Sequence, residues 1–213
     1  FDWKRANPVG ALKQVRKYPT VMGLITAFFL IYLAANSVQS TWSFFTIKKF
    51  GWDTKTIGLS LGVVGLLVAF VQGGLIRVVN PRLGNKFSVY IGLSMYATGL
   101  FLFAFAAQSW MMFVFLIPYC LGGIAGPAIQ SVLAGHVPRN EQGELQGALT
   151  SLMSLTTILG PPLMSNLFTY FTTKAPIHFP GASFLLGAIF MLGSTVVTWV
   201  TLRNEKHTVA IVK

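Results

Sequence analysis

Charged residues are excluded from five long segments of this chain, and this exclusion constrains the fold more than any other feature. Asp, Glu, Lys and Arg are absent from residues 19–47, 56–76, 87–138, 145–173 and 179–202. Each segment can cross the hydrocarbon core of a bilayer, which is roughly 30 Å thick and takes about 20 helical residues. The third segment is about twice that length and has a polar break at Gln108 and Ser109. The sequence therefore predicts six transmembrane helices, at about 19–45, 56–79, 87–107, 110–136, 143–171 and 181–202.

The composition supports the same class of protein. Hydrophobic residues make up 54% of the 213 residues and charged residues 10%, which leaves too little polar material to cover a water-soluble domain. Membrane β-strands are roughly 10 residues long and alternate in polarity, whereas these segments are longer and apolar on most faces. We expect an all-α membrane protein with a cytoplasmic linker at 1–18, a six-helix domain at 19–204 and a cytoplasmic tail at 205–213. Because the linker starts at Phe1 without a Met, we expect a piece of a longer polypeptide.

The positive charge is distributed unevenly between the two sides of the predicted membrane domain. A formal net charge of +11 is compatible with nucleic-acid binding, so the positions of the cations have to be considered. In a six-helix topology, the Lys and Arg residues lie on one side except for Lys48, Lys49, Lys55 and Lys174. The positive-inside rule then places both termini in the cytoplasm. The basic residues therefore indicate orientation in a lipid bilayer and disfavour nucleic acid as a partner.

The first predicted helix carries a polar stripe. Its members are spaced by three or four residues and share one helical face: Tyr32, Asn36, Gln39, Ser40 and Ser43. Buried carboxamides without partners cost several kcal/mol each in lipid, so this face must contact protein or water. It can line a substrate cavity or form interhelical hydrogen bonds; we favour the cavity because the stripe is long. Gln72, on a second helix whose small residues predict close packing, is a further candidate contact.

The fourth and fifth predicted helices contain residues that bend helices. Proline removes a backbone hydrogen bond, and such departures are tolerated where the freed groups meet protein or water. The predicted bend residues are Pro118, Gly126, Pro127, Gly160, Pro161 and Pro162. Each bend can serve substrate binding or only packing. Tyr119 and Gln130 share one face of the fourth helix and are candidates for the same cavity.

The third and sixth predicted helices are plain by comparison. They contain no Asn, Gln or charged residue, so we expect them to face lipid. The six predicted helices thus form two similar triplets. In each triplet a polar or bent helix comes first, a helix with small residues second and a plain helix third. This order indicates two inverted three-helix repeats, as in half of a transporter.

Several kinds of chemistry have no candidate residues. The acidic residues and the three histidines fall in predicted loops or at the ends of predicted helices. A proton relay normally needs a titratable group within the membrane, and a metal site or a nucleophilic enzyme needs clustered ligands or a triad. We therefore predict no enzyme activity, no cofactor, no metal site and no proton-coupling site within this chain.

Five segments resemble parts of one family of transporters. Gly122-Gly-Ile-Ala-Gly-Pro-Ala-Ile-Gln130, followed by Gln142-Gly-Glu-Leu-Gln-Gly147 and Ile158-Leu-Gly-Pro161, is similar to the tenth and eleventh helices of the tetracycline-resistance branch of major facilitator drug/proton antiporters. Residues 50–60 resemble the loop into the eighth helix of that family, and Arg82-Leu-Gly-Asn-Lys86 resembles its next, basic loop. The similarity is collinear from about Asn7 to Arg203. It implies the C-terminal six-helix half of a twelve-helix secondary transporter.

The resemblance also implies roles for particular residues. The first and fourth helices would line the substrate path, and Arg82, Gly84 and Lys86 would form a cytoplasmic gate loop. Exporters of this branch often carry a histidine and an aspartate where this chain has Val68 and Tyr96. This departure disfavours tetracycline as the small-molecule substrate and implies coupling carboxylates in an N-terminal half.

We therefore expect half of a proton-coupled drug exporter that works by alternating access in a bacterial inner membrane. The partners would be the missing N-terminal half and a small-molecule substrate. An alternative is a self-contained six-helix protein that dimerises into a carrier or channel, and a second is a membrane scaffold. The mass of the native polypeptide separates the first two, since two equal halves give about twice 23.3 kDa.

Overall fold

A computed structural model describes the backbone of residues 18–211 and the side chains of residues 18–203. The predicted linker at 1–18 lies almost wholly outside the described residues. The described part contains six long helices: α1 (Pro19–Phe50), α2 (Thr54–Leu83), α3 (Asn85–Phe105), α4 (Ser109–Gly135), α5 (Gln142–Thr173) and α6 (Ala182–Ile211). The prediction of an all-α membrane protein with six helices is confirmed. The helical backbone of α6 continues into the segment that the sequence assigns to the cytoplasmic tail.

Five of the six helices in residues 18–211 are long and apolar enough to cross a membrane. The exception is α5, which is as long as α1 at 32 residues. Its leucines and methionines are interspersed with Gly, Ser, Thr and Pro, which lower its mean hydropathy. That composition suits a helix that contacts other protein segments.

Short backbone signals set the helix ends. Gly51, in the left-handed conformation with φ of 67°, ends α1 and donates its N–H to the Ile47 carbonyl. Asp53 then caps α2 by accepting from the Thr56 N–H at 2.9 Å. Hydrogen bonds from the Thr56 hydroxyl and backbone lower the pKa of Asp53. Gly84, with φ of 76°, is the only residue between α2 and α3.

Helix α1 packs against α5 and α6, and α3 packs against α4 and α6. An aromatic cluster fills the centre, where Trp42 lies 5.2 Å from Phe103 and Phe45 lies 4.8 Å from Phe184 between ring centroids. Helices α3 and α6, expected to face lipid, therefore also supply part of the core. Helix α2 is the least buried, with only 11% of its most apolar segment buried, against 50% for α3.

Candidate functional site

A pocket of about 400 Å³ lies among α1, α2, α3 and α4. Four of the predicted cavity residues line it: Tyr32, Gln72, Tyr119 and Gln130. Helical periodicity places Tyr119 and Gln130 on the same side of α4. Three helices thus direct phenol and carboxamide groups into one space.

Tyr32 and Gln130 join α1 to α4 across this pocket. The Tyr32 ring packs on Phe28 of its own helix, with ring centroids 4.5 Å apart. The Tyr32 phenol lies near the Gln130 carboxamide, and both line the pocket. The packing on Phe28 therefore holds the phenol ring near the carboxamide.

Gln72 enters the pocket from an irregular part of α2. Val71–Leu75 forms a π turn within that helix, and the turn contacts the 3-10 turn Gly122–Ile124 within α4. π turns are frequent at functional sites because they redirect side chains. The sequence analysis did not predict this turn, although it singled out Gln72.

Tyr96 and Tyr119 form a fixed pair on the wall made by α3 and α4. Their hydroxyls are 3.1 Å apart and their ring centroids 4.7 Å apart. Gly122 and Gly99 permit this contact, because the tyrosines come so close that a side chain at either glycine would clash with them. A Cβ on Gly122 would lie 2.7 Å from Tyr96 Cα, and a Cβ on Gly99 would lie 2.6 Å from Tyr119 Cα.

The pocket lining contains no charged residue among those that the structure describes. Val68 and Tyr96, singled out above as departures from a family pattern, both line it. Cys120, interpreted from the sequence as packing, is buried and lines it too. The sequence analysis did not use the spacing of Tyr96 from Gly92 and Gly99, which places all three residues on the face that meets α4.

The residues of the polar stripe of α1 lie in different environments, and only Tyr32 lines the pocket. Asn36 is only 6% exposed, donates to the Tyr32 carbonyl at 2.8 Å and lies against Gly160 of α5. It therefore fits the alternative of interhelical packing. Gln39 and Ser43 are exposed and Ser40 is half-buried, and none of the three lines this pocket.

The predicted gate loop is mostly helical. Arg82 lies in the last turn of α2 and Lys86 in the first turn of α3, with Gly84 between the helices. Gly84 and Lys86 also line a second pocket of about 430 Å³ against the end of α4, where Asn85 donates to Ser131 Oγ at 2.6 Å. The loop is thus held close to α4.

The predicted bends have different outcomes in the two helices. In α4, the α-geometry gives way to a 3-10 turn at Gly122–Ile124, between Pro118 on one side and Gly126 and Pro127 on the other. In α5, the helix continues as one α-helix through Gly160, Pro161 and Pro162. The sequence predicted an interruption at these three residues, but the helix is not broken there.

The described residues include no group of three His, Cys, Asp or Glu side chains that could hold a metal ion. The residues that line the pocket offer hydrogen bonding by phenols and amides, together with aromatic and apolar contact.

Residues 78–211 match the family model described as Major Facilitator Superfamily. The chain is 34% identical to the class C tetracycline resistance protein of Escherichia coli over 87% of this chain and 46% of that protein. It is 38% identical to the class G tetracycline resistance protein of Vibrio anguillarum over 65% of this chain and 35% of that protein. The chain therefore spans less than half the length of these relatives.

Two further comparisons concern human proteins. The Homo sapiens protein named hippocampus abundant transcript-like protein 1 is 29% identical over 92% of this chain and 42% of its own length. The crystal structure of the human organic anion transporter MFSD10 (TETRAN) superimposes with a TM-score of 0.72 over 84% of this chain and 40% of that one, at 22% identity. This structural likeness shows the fold.

Proposed function

Because the chain belongs to the major facilitator superfamily, we propose that it is the C-terminal half of a proton-coupled exporter of drugs or other small molecules. The similarity to tetracycline resistance proteins over less than half of their length supports this assignment. The other half of the substrate path and of the alternating-access machinery then comes from an N-terminal six-helix half. The host membrane is a bacterial inner membrane, with both termini of this chain in the cytoplasm.

The observation that carries the proposal is the uncharged pocket among α1, α2, α3 and α4. Amide and phenol groups from separate helices meet there, although lone polar groups are costly in a membrane interior. Their convergence favours a ligand site over packing alone. The substrate-contacting residues proposed on this basis are Tyr32, Gln72, Tyr119 and Gln130.

The described residues offer no coupling carboxylate at membrane depth, so the proposal assigns it to the N-terminal half. Within the described part, the acidic residues are Asp53, Glu141, Glu144 and, in the backbone only, Glu205. Asp53 and Glu141 precede helices, and Glu144 lies in the first turn of α5. A proton relay normally needs a titratable group at membrane depth, so the N-terminal half supplies it.

Gln72→Ala and Gln130→Ala in the complete transporter test this assignment. Each substitution removes a neutral hydrogen-bonding group from the pocket, and we expect export to fall by roughly threefold to tenfold for a lost hydrogen bond. The measurement is energised drug export from a bacterial strain that lacks its own exporters. Expression level is matched by immunoblotting.

Ser94→Ala on the exposed face of α3 is the matched control and should leave export unchanged. Ser194 is unsuitable for this purpose because it is buried and donates to the Ala27 carbonyl at 3.0 Å, which joins α6 to α1. If both glutamine variants export as well as Ser94→Ala, the pocket is not the substrate site.

A further inference from the structure

We propose that the π turn of α2 is a switch with two positions, which moves the end of this helix by one residue position during transport. The inference rests on the proposed function and adds a moving element to it. It is drawn from the hydrogen bonding of the π turn, the exposure of the residues that follow it and two buried polar atoms that have no hydrogen-bond partner.

The π turn holds one residue more than an α-helix would hold over the same length. The Ile76 N–H donates to the Val71 carbonyl, five residues earlier, whereas an α-helix uses the carbonyl four residues earlier. Rewinding the turn as α-helix would rotate the following residues by about 100° and advance them by about 1.5 Å relative to the residues before the turn. Each residue of Ile76–Leu83 would then occupy the place that the next residue holds in this structure.

Two side chains of this segment favour such a step. Val78 is 49% exposed and would move to the half-buried place of Val79. Asn80 is half-buried, and its Oδ1 is buried without a hydrogen-bond partner among the described residues. The step would move Asn80 to the exposed place of Pro81. Because a buried acceptor without a partner is costly, the step relieves one polar group and covers one apolar side chain.

The structure also leaves room for the step. Ile76–Leu83 contains no buried residue, so it can rotate without breaking core contacts. A Cβ on Gly73 or Gly74 would meet no atom within 4 Å. At the other end, Gly84 joins the segment to α3 with φ of 76°, and a glycine takes up backbone rotation at little steric cost. Ser88, one turn beyond Gly84, is buried with its hydroxyl unpartnered, so a second polar atom at this junction lacks a partner in the present position.

The switch connects the pocket to the end of α2 that carries Arg82. Gln72 is the second residue of the π turn and lines the pocket, so a ligand that contacts Gln72 acts on the turn directly. The step would move Arg82, in the last turn of α2, to the place of Leu83. Discrete displacements of one packed helix past another are an established kind of switching movement.

Spin labels within the segment test this inference in the complete transporter, reconstituted in liposomes with its native cysteines replaced. One protein carries the label at Val78→Cys and a second carries it at Asn80→Cys. EPR measures the collisions of each label with oxygen and with a nickel chelate, which report contact with lipid and with water. We expect two populations, and in the second population the label at 78 is less accessible and the label at 80 more accessible. A label at Ser94→Cys, on the exposed face of α3, is the control and should show one population.

Changes within the π turn separate the two positions. Deletion of Gly73 removes the surplus residue, so the turn closes as α-helix while the segments on both sides keep their present places. This variant should show only the present population at both labels and should export at least about tenfold more slowly, because the step is blocked. Gly73→Ala with Gly74→Ala keeps the residue count and adds two stronger helix formers, so it should increase the second population.

Thermal unfolding shows whether the deletion variant is folded; if it is not, the labels in the transporter with the native turn and in the alanine variant decide. A single population in both of these proteins, changes in the same direction at positions 78 and 80, or normal export by a folded deletion variant would each overturn the inference. Because Gln72→Ala and Gln130→Ala test the pocket separately, a transporter that needs both glutamines but shows no step contradicts only this inference.

Discussion

At the scale of single residues, the contact between Asn36 and Gly160 shows why polar spacing alone does not identify a substrate site. Asn36 is spaced with the polar stripe of α1, yet its side chain is buried against α5. A Cβ at position 160 would lie 2.6 Å from Asn36 Cβ. The glycine therefore sets the distance between two helices, and Asn36 occupies the space that this leaves.

Gly160→Ala should destabilise the protein by about 1–3 kcal/mol, the usual cost of adding a methyl group to a filled interface. Thermal unfolding of the purified protein in detergent measures the change. Asn36→Ala in the same chain should recover part of the loss, since it removes Cγ and Nδ2, two of the three Asn36 atoms that clash, and leaves Cβ. Gly193→Ala is the control, because its Cβ would meet Leu30 Cδ1 at an ordinary 3.7 Å. An unchanged unfolding temperature for Gly160→Ala would show that α1 and α5 can separate freely.

At the scale of helices, α2 has few attachments to the rest of the bundle. One of them is the hydrogen bond from Trp42 Nε1 to Ser60 Oγ, 3.0 Å long, between two buried side chains of α1 and α2. Ser60 is one of the few buried residues of α2. This neutral hydrogen bond is therefore a specific attachment between α1 and α2.

Ser60→Ala leaves the indole N–H of Trp42 without this partner in a buried site. We expect a loss of about 1 kcal/mol in the free energy of unfolding, within the range measured for buried and membrane hydrogen bonds. Chemical denaturation of the purified protein gives the value. Ser154→Ala, at an exposed serine that bonds only to the Thr150 carbonyl of its own helix, should have a smaller effect. Equal losses in the two variants would contradict the assignment.

The sequence predicted the helices better than their contacts. The five charge-free segments, one of them long enough for two helices, predicted the number and order of helices, because charge at membrane depth is costly whatever the fold. Gln72 and Gln130 were predicted as cavity residues because neutral polar side chains are also costly at that depth. The π turn at Val71–Leu75 and the burial of Asn36 depend on which helices meet. That information lies in the tertiary packing, and helical periodicity does not contain it.

At the scale of the whole molecule, the uneven distribution of basic residues makes a prediction about orientation. The positive-inside rule places the turn before α5 in the cytoplasm and the turn after α5 outside. In the complete transporter with its native cysteines replaced, Lys174→Cys should react with an impermeant maleimide in intact cells. Arg139→Cys should react only after permeabilisation. The reverse pattern would invert the proposed topology.

The Gly84 junction has a mechanical consequence for the whole half. Because a single residue connects α2 to α3, the two helices stay close together at this end. Gln72 lies on α2 and Tyr96 lies on α3, and both line the pocket. A change in the angle between α2 and α3 therefore changes the distance between Gln72 and Tyr96. The width of the pocket changes with that distance.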